Sequence, residues 1–171
     1  LASGPDADRL SCLLVNDIGP DVPEAAIRRI LTYVADLPVF SRFAEAEAWL
    51  RAVYTPFGPA GDAFWQRMAR SSMRRNREGR LTLHYDPKIT VQFTASRHEL
   101  TMWDRWQRIK TPTHLFRGQQ SDLLTADICK RMLESGPRPA LTEFADCGHA
   151  PTLSREADIA LLRTCLADLR R

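Results

Sequence analysis

Two short segments of the sequence combine acidic, basic or thiol side chains with glycine, and each directly follows a predicted β-strand. Residues 117–122 (RGQQSD) follow a strand predicted at 113–116, and residues 146–151 (DCGHAP) follow one predicted at 140–144. Ligands of open parallel sheets bind at the carboxyl ends of the strands. A carboxylate placed there can hydrogen-bond an imidazole and fix its tautomer, so that the imidazole accepts a proton from a nucleophile.

His149 is the candidate base, and Asp122 is the candidate acid that orients it. Asp122 also suits the N-cap of the helix that follows, and the two roles are compatible. Asp146 is too near His149 in sequence to face its ring. Cys147 could be a reactive thiol, but we interpret it as an ordinary loop residue, since its surroundings show no sign of activation. The acids, the thiol and the histidine have no recognised metal-ligand spacing.

Strands and helices alternate along the parts of the chain that would position these residues. Residues 10–18 form an apolar run ended by Gly19-Pro20, which is typical of a strand buried inside a parallel sheet. Helices are predicted at 100–109, 124–134 and 154–170, around the two strands named above. This order predicts an α/β fold with a parallel sheet.

Residues 23 to about 95 interrupt the alternation with a helical segment. Pro23 suits the first turn of a helix, and apolar residues then recur at helical spacing as far as Val34. Further helices are predicted at 43–54 and at about 61–76. Residues 81–85 alternate only briefly, so we expect no second strongly buried strand in this segment.

Four motifs, taken in chain order, resemble those of the α/β-hydrolase family. They are LVNDIGP at 14–20, similar to the family's sixth strand and its exit; WQRIKTPT at 106–113, before the seventh strand; LFRG followed by SD at 115–122, the acid loop; and GHAP at 148–151, the histidine loop. The resemblance covers nearly the whole chain. It implies the C-terminal part of the fold, with a core strand at 1–22, a helical cap insertion at 23–99, and a C-terminal core at 100–171.

The resemblance also implies an activity: hydrolysis of an ester or similar small acyl substrate by a Ser-His-Asp mechanism. The resemblance implies that His149 would act as base and then acid, and that Asp122 would orient it. Asp17 is the rival acid, because some family members keep the acid at that position. No cofactor or metal is implied. The family's nucleophile elbow, Gly-x-Ser-x-Gly, does not occur in the sequence. We therefore expect a fragment or a degenerate member that is inactive alone and that needs a partner, either its missing N-terminal half or a second copy.

Composition excludes several other classes of protein. With 171 residues, of which 44% are hydrophobic and 26% charged, the chain fits one globular domain rather than a disordered one. It has no apolar run near the roughly 20 residues of a membrane span, and no signal peptide is visible. Its four scattered cysteines favour a reducing, cytoplasmic location.

The sequence also suggests two non-enzymatic interpretations. The densest basic stretch contains Arg67, Arg70, Arg74, Arg75, Arg77 and Arg80. We interpret it as the solvated face of a cap helix rather than as a nucleic-acid site, because a basic stretch alone is a weak signal. The second is a ligand- or partner-binding protein on the same fold. Trp49, Phe57, Trp65 and Trp103 could line a pocket under the cap, but such residues more often belong to the core.

Overall fold

The structure, a computed structural model, describes residues 2–34, 37–91 and 101–170. In chain order the described elements are β1 (Leu13–Asn16), α1 (Glu24–Val34), β2 (Val39–Phe40), α2 (Phe43–Val53), α3 (Asp62–Ser72), β3 (Met73–Arg75), β4 (Leu81–Leu83), α4 (Trp103–Arg108), β5 (Thr113–Gly118), α5 (Ala126–Glu134), β6 (Ala140–Phe144) and α6 (Glu156–Asp168). Each predicted strand of the core is present, and α4, α5 and α6 lie within the helices predicted there. The predicted end of the cap at 99 and the first residue of the predicted helix 100–109 lie outside the described residues.

The main sheet contains three parallel strands in the order β1-β5-β6. β1 pairs with β5 from Leu13 opposite Thr113 to Asn16 opposite Phe116, and β5 pairs with β6 as far as Gly118 opposite Phe144. All three strands therefore end at the same edge of the sheet. The α/β class with parallel strands is confirmed.

Both faces of this sheet are covered, because successive residues of the central strand point to opposite sides. Leu115 packs with Trp103, Trp106 and Met132, which come from α4 and α5. Phe116, the next residue along, packs on the other face with side chains that include Cys165 of α6. Leu115 and Phe116 are both fully buried, which explains why two large apolar residues stand next to each other in β5 rather than alternating with polar ones.

The segment between β1 and α4 contains a second sheet, antiparallel, in the order β2-β4-β3. The segment is helical as expected, since it contains α1, α2 and α3. The expectation that it holds no strongly buried strand is wrong, because all three residues of β4 are buried. Sequence periodicity missed the sheet because its strands have only two or three residues each, fewer than a pattern of alternation needs. The helices α2 and α3 pack on this sheet through Leu50, Trp65 and Leu83.

No helix within the three described ranges is both long and apolar enough to span a lipid bilayer.

Candidate functional site

Asp17 lies immediately after β1, at the edge where the three parallel strands end. Its backbone N–H donates to the carbonyl of Phe116 at 2.8 Å, which continues the pairing of β1 with β5. Its φ of 52° falls in the left-handed region, which a short polar side chain tolerates better than most. This backbone turn accompanies a side chain that is 0% exposed, so the carboxylate is held inside the protein.

Three donors satisfy the Asp17 carboxylate. The backbone N–H of Gly118 donates to Oδ1 at 2.8 Å, and the hydroxyl of Ser121 donates to Oδ2 at 2.6 Å. The third donor is Nδ1 of His149, 3.0 Å from Oδ2. A carboxylate buried without such partners would be costly, and these contacts hold it in one position.

His149 lies in the loop after β6, and its Nδ1 atom faces two acceptors. Besides Oδ2, the backbone carbonyl oxygen of Asp17 lies 2.9 Å from Nδ1. Because both partners accept, we assign the proton to Nδ1, which leaves Nε2 with a free lone pair. The side chain is 25% exposed, and the ring of Phe57 contacts it edge to face at 6.5 Å between centroids. The imidazole is thus oriented on one side and accessible on the other, as a general base requires.

The loops after β5 and β6 touch each other through backbone atoms. A Cβ added to Gly118 would lie 2.2 Å from the carbonyl oxygen of Gly148 and 2.7 Å from that of Cys147. The N–H of Gln120 also donates to the carbonyl of Cys147, at 3.0 Å. Glycine at 118 is therefore what allows the histidine loop to approach Asp17.

The histidine loop contacts the loop after β5 on one side and a turn of the cap, residues 55–58, on the other. The N–H of Gly148 donates to the carbonyl of Pro56 at 2.6 Å. Gly58 has a φ of 83°, and a Cβ there would lie 2.5 Å from the Cβ of Cys147. The cap and the core thus position His149 together.

Asp122 does not make the predicted hydrogen bond to His149. Instead it forms a bidentate pair with Arg29 of α1, with distances of 2.6 Å from Nε to Oδ2 and 2.8 Å from Nη2 to Oδ1. That pairing lowers the pKa of Asp122. The physical reason for the difference is that Ser121, its neighbour, faces Asp17, while Asp122 faces the cap. Nor is Asp122 an N-cap, since Thr125 caps α5 by accepting from the N–H of Ile128.

Asp122 and His149 nevertheless line one cleft between the cap and the core, as expected from their positions after neighbouring strands. The cleft has a volume of about 550 Å³. Its lining residues are Arg29, Thr55, Pro56, Gln120, Asp122, Asp146, Cys147, Gly148 and His149. A small acyl substrate would fit in this volume.

Comparison with known proteins identifies the fold. No protein-family model matches the chain. The 3-hydroxybutyrate-oligomer hydrolase of Cupriavidus necator is 33% identical over 159 residues, which are 87% of this chain and 54% of that protein. The solved structure of a candidate hydrolase from Rickettsia typhi matches with a TM-score of 0.82 at 26% identity, over 93% of this chain and 54% of that one. An α/β-hydrolase from Novosphingobium aromaticivorans matches with a TM-score of 0.78 at 29% identity, over 95% of this chain and 58% of that one.

The chain is the C-terminal part of an α/β-hydrolase fold. It spans about half the length of the relatives it matches. The resemblance identified from sequence motifs is thereby confirmed. In this α/β-hydrolase part, Asp17, Asp122 and His149 all follow strands of the main sheet at their carboxyl ends, where such sheets bind ligands.

The cleft contains one thiol, and this thiol is a poor nucleophile. Cys147 is only 3% exposed, and burial raises its pKa to about 11. It therefore stays protonated at neutral pH. Asp146, the remaining acid of the cleft, pairs with Arg155 at 3.0 Å. Among the described residues, no three histidine, cysteine or acidic side chains converge as metal ligands.

Two residues of the candidate site were not singled out from the sequence. Ser121 was visible only as part of the acid-loop motif, and nothing in an amphipathic helix marks Arg29. Of the aromatic residues proposed to line a pocket, Phe57 contacts His149, whereas Trp65 and Trp103 are buried in the two cores. The six arginines of the basic stretch are all exposed.

Proposed function

We propose that this chain supplies the acid and base of a Ser-His-Asp hydrolase that acts on an ester or similar small acyl substrate. The observation that carries the proposal is the 3.0 Å contact between Nδ1 of His149 and the buried carboxylate of Asp17. A fixed anion at Nδ1 selects the neutral tautomer that has its proton on Nδ1, and it stabilises the imidazolium that forms when Nε2 accepts a proton. A histidine without a buried carboxylate at Nδ1 would have neither its tautomer nor its orientation fixed.

The roles follow from the contacts. His149 takes the proton of the attacking hydroxyl and later gives it to the leaving group. The imidazole therefore returns to its neutral form. Asp17, rather than Asp122, is the acid that orients it, because Asp17 contacts the ring and Asp122 is paired with Arg29. Since the sequence holds no Gly-x-Ser-x-Gly segment, the serine and the oxyanion donors would come from polypeptide outside residues 1–171.

For the substrate we propose a small ester of a hydroxy acid. The relative from Cupriavidus necator is a 3-hydroxybutyrate-oligomer hydrolase at 33% identity, and the cleft of about 550 Å³ beside His149 has room for a short oligomer. No cofactor is needed for hydrolysis of this kind.

The test uses the native gene product that contains these residues, with p-nitrophenyl butyrate and the 3-hydroxybutyrate dimer as substrates. We expect His149→Ala to lower kcat at least about 10³-fold, as loss of a triad base does. The exposed His84 provides the matched control, and His84→Ala should leave kcat unchanged. Full activity in His149→Ala would overturn the proposal. Absence of turnover in the unmutated protein would favour the binding-protein interpretation.

The isolated 171-residue chain provides a second test. It should not hydrolyse p-nitrophenyl esters at a useful rate, because loss of even one oxyanion donor costs about 10²-fold or more. Robust turnover that disappears in His149→Ala would show that a nucleophile lies within residues 1–171.

We also propose that the free edge of β1 pairs with a protein partner, either further strands of the same sheet or a second copy. Within the described residues β1 pairs only with β5. Beside it lies an apolar cleft of about 320 Å³ whose lining includes Ile18 and Met102, which are 44% and 38% exposed. An unpaired strand edge next to apolar surface favours association. Light scattering on the isolated chain tests this: a monomer with a sharp thermal transition would contradict it.

A cytoplasmic location is supported by the cysteines. All four are free thiols, and Cys129, Cys147 and Cys165 are buried. Free thiols persist most readily in a reducing compartment. Fractionation of the native host, with the protein detected by antibody, tests this proposal.

A further inference from the structure

We propose that Arg29 binds the carboxylate of an acyl substrate that carries one, and so selects acidic esters over neutral ones. This inference rests on the proposed function, since it concerns the same cleft. Arg29 belongs to α1 of the cap, yet it lines the cleft together with His149 of the core. A substrate whose carboxylate lay against Arg29 would have its other end in the part of the cleft that His149 lines.

Arg29 has the only permanent positive charge among the described residues that line the cleft. The remaining charged side chains of the lining, Asp122 and Asp146, are acidic, and Asp146 is already paired with Arg155. Among the described lining residues, Arg29 is therefore the one permanent cation with which a substrate carboxylate can form a charge-assisted hydrogen bond.

The pair of Arg29 with Asp122 shows the geometry in which this guanidinium binds a carboxylate. Its bonds to Asp122 run in parallel from Nε and Nη2, at 2.6 and 2.8 Å, which is the fork geometry that arginine offers to carboxylates. These two bonds use two of the five N–H groups of the side chain. Asp122 does not engage Nη1, but a side-chain hydrogen bond with Tyr33 also acts on the guanidinium. A second carboxylate at Nη1 would therefore share Arg29 with Asp122 and Tyr33.

Asp122 can also be displaced at little cost. The Arg29 and Asp122 side chains are 38% and 47% exposed, and an ion pair so open to water adds little to folding stability. In this respect the pair differs from the buried contact between Asp17 and His149. Asp122 orients the guanidinium in the empty cleft, and its negative charge weakens the binding of any other anion. Removing that charge should therefore strengthen the binding of an acidic substrate.

The experiment compares two substrates that differ in one charge. The native gene product is assayed with the 3-hydroxybutyrate dimer and with its carboxamide, which has the same scissile ester and no carboxylate. Arg29→Gln is expected to lower the ratio of kcat/KM for acid over amide about 10- to 100-fold, mainly through KM, as loss of a charge-assisted hydrogen-bonded pair does. Asp122→Asn is expected to raise the same ratio several-fold.

Arg28 provides the matched control, because it is the neighbouring residue of α1 and pairs on the surface with Glu24. Arg28→Gln should leave the ratio unchanged. If Arg29→Gln lowers kcat/KM for acid and amide equally, the Arg29–Asp122 pair is only a contact between cap and core, and the inference is overturned. If Arg29→Gln does not fold, Arg29→Lys, which keeps the charge but loses the fork, should still lower the ratio by a few-fold; an unchanged ratio there also overturns it.

Failure of the proposed function would be visible separately, as absence of turnover with both substrates. Binding is then measured by titration calorimetry with the acid and the amide on the same gene product. A preference for the acid that is lost in Arg29→Gln supports the inference even without hydrolysis. Equal binding of acid and amide to the unmutated protein contradicts it.

Discussion

The loops after β1 and β5 each place an aspartate near the same cleft, but they surround it with opposite environments. Asp17, after β1, is 0% exposed and accepts from a backbone N–H, a hydroxyl and an imidazole. Asp122, after β5, is 47% exposed and is paired with the single guanidinium of Arg29. Fixed donors around a buried charge hold it in one geometry, whereas a solvent-facing ion pair can exchange partners. The first environment suits an orienting acid, and the second suits a binding group.

The sharpest test of this comparison replaces each aspartate by asparagine. In the native gene product, Asp17→Asn should lower kcat for a neutral ester about 10³- to 10⁴-fold, because an amide no longer stabilises the imidazolium or enforces the tautomer of His149. Asp122→Asn should cost at least 100-fold less in kcat than Asp17→Asn. Equal losses in steady-state kinetics would remove the distinction between the two loops.

The contact between the loops can be broken at Gly118. Gly118→Ala would place a Cβ 2.2 Å from a backbone oxygen of Gly148, and a backbone atom cannot move aside as a side chain can. We expect a loss of about 3 kcal/mol or more in the free energy of unfolding, measured in urea. Gly61 is the control, since a Cβ there meets nothing within 4 Å; Gly61→Ala should change stability by less than about 1 kcal/mol. If the two variants were equally stable, the loops would not be in contact in solution.

A smaller effect is expected from Ser121→Ala, which removes one donor to Asp17. The hydroxyl donates to Oδ2 at 2.6 Å and also accepts from the N–H of Leu124 at 3.0 Å. Its loss leaves a buried carboxylate short of one partner, and we expect unfolding to become easier by about 1–3 kcal/mol. Ser71, an exposed serine bonded to the carbonyl of Met68, is the matched control: Ser71→Ala should shift the urea midpoint much less. An unchanged midpoint in Ser121→Ala would show that Asp17 does not depend on this hydroxyl.

The smallest effect is expected at Asp122 and concerns pH. The pairing with Arg29 lowers the pKa of the folded carboxyl below its usual 3.8, so the pair stabilises the fold above that value and loses its effect as pH falls through the lower, folded pKa. Because both side chains are partly exposed, the contribution is about 1 kcal/mol or less. The stability difference between the unmutated protein and Asp122→Asn should shrink below about pH 4 in urea titrations. A difference that grew on acidification would mean that the carboxyl is destabilised by its surroundings.

Much of the core could be predicted because its signals are local. The apolar run of β5, the helical spacing in α5 and α6, and the glycine-histidine loop are each visible within a dozen residues. The same signals indicated that His149 and the two aspartates would lie at one edge of a parallel sheet. By contrast, the small sheet of the cap was missed, because strands of two or three residues gain their stability from pairing with each other and leave no periodic pattern.

Which aspartate meets the histidine depended on the tertiary structure alone. Asp17 and His149 are 132 positions apart, and their contact requires β1 to pair with β5 in one register, glycine at 118 to let the loops approach, and a left-handed backbone at Asp17. None of these conditions is local. Arg29 of α1 pairs with Asp122, which is 93 positions away in the sequence. Asp122, the acid that the sequence favoured, is therefore not the partner of His149. The sequence by itself determined the order of the elements, because local periodicity and turn residues govern it. The tertiary structure decided the partners of each charge, because burial and distance govern them.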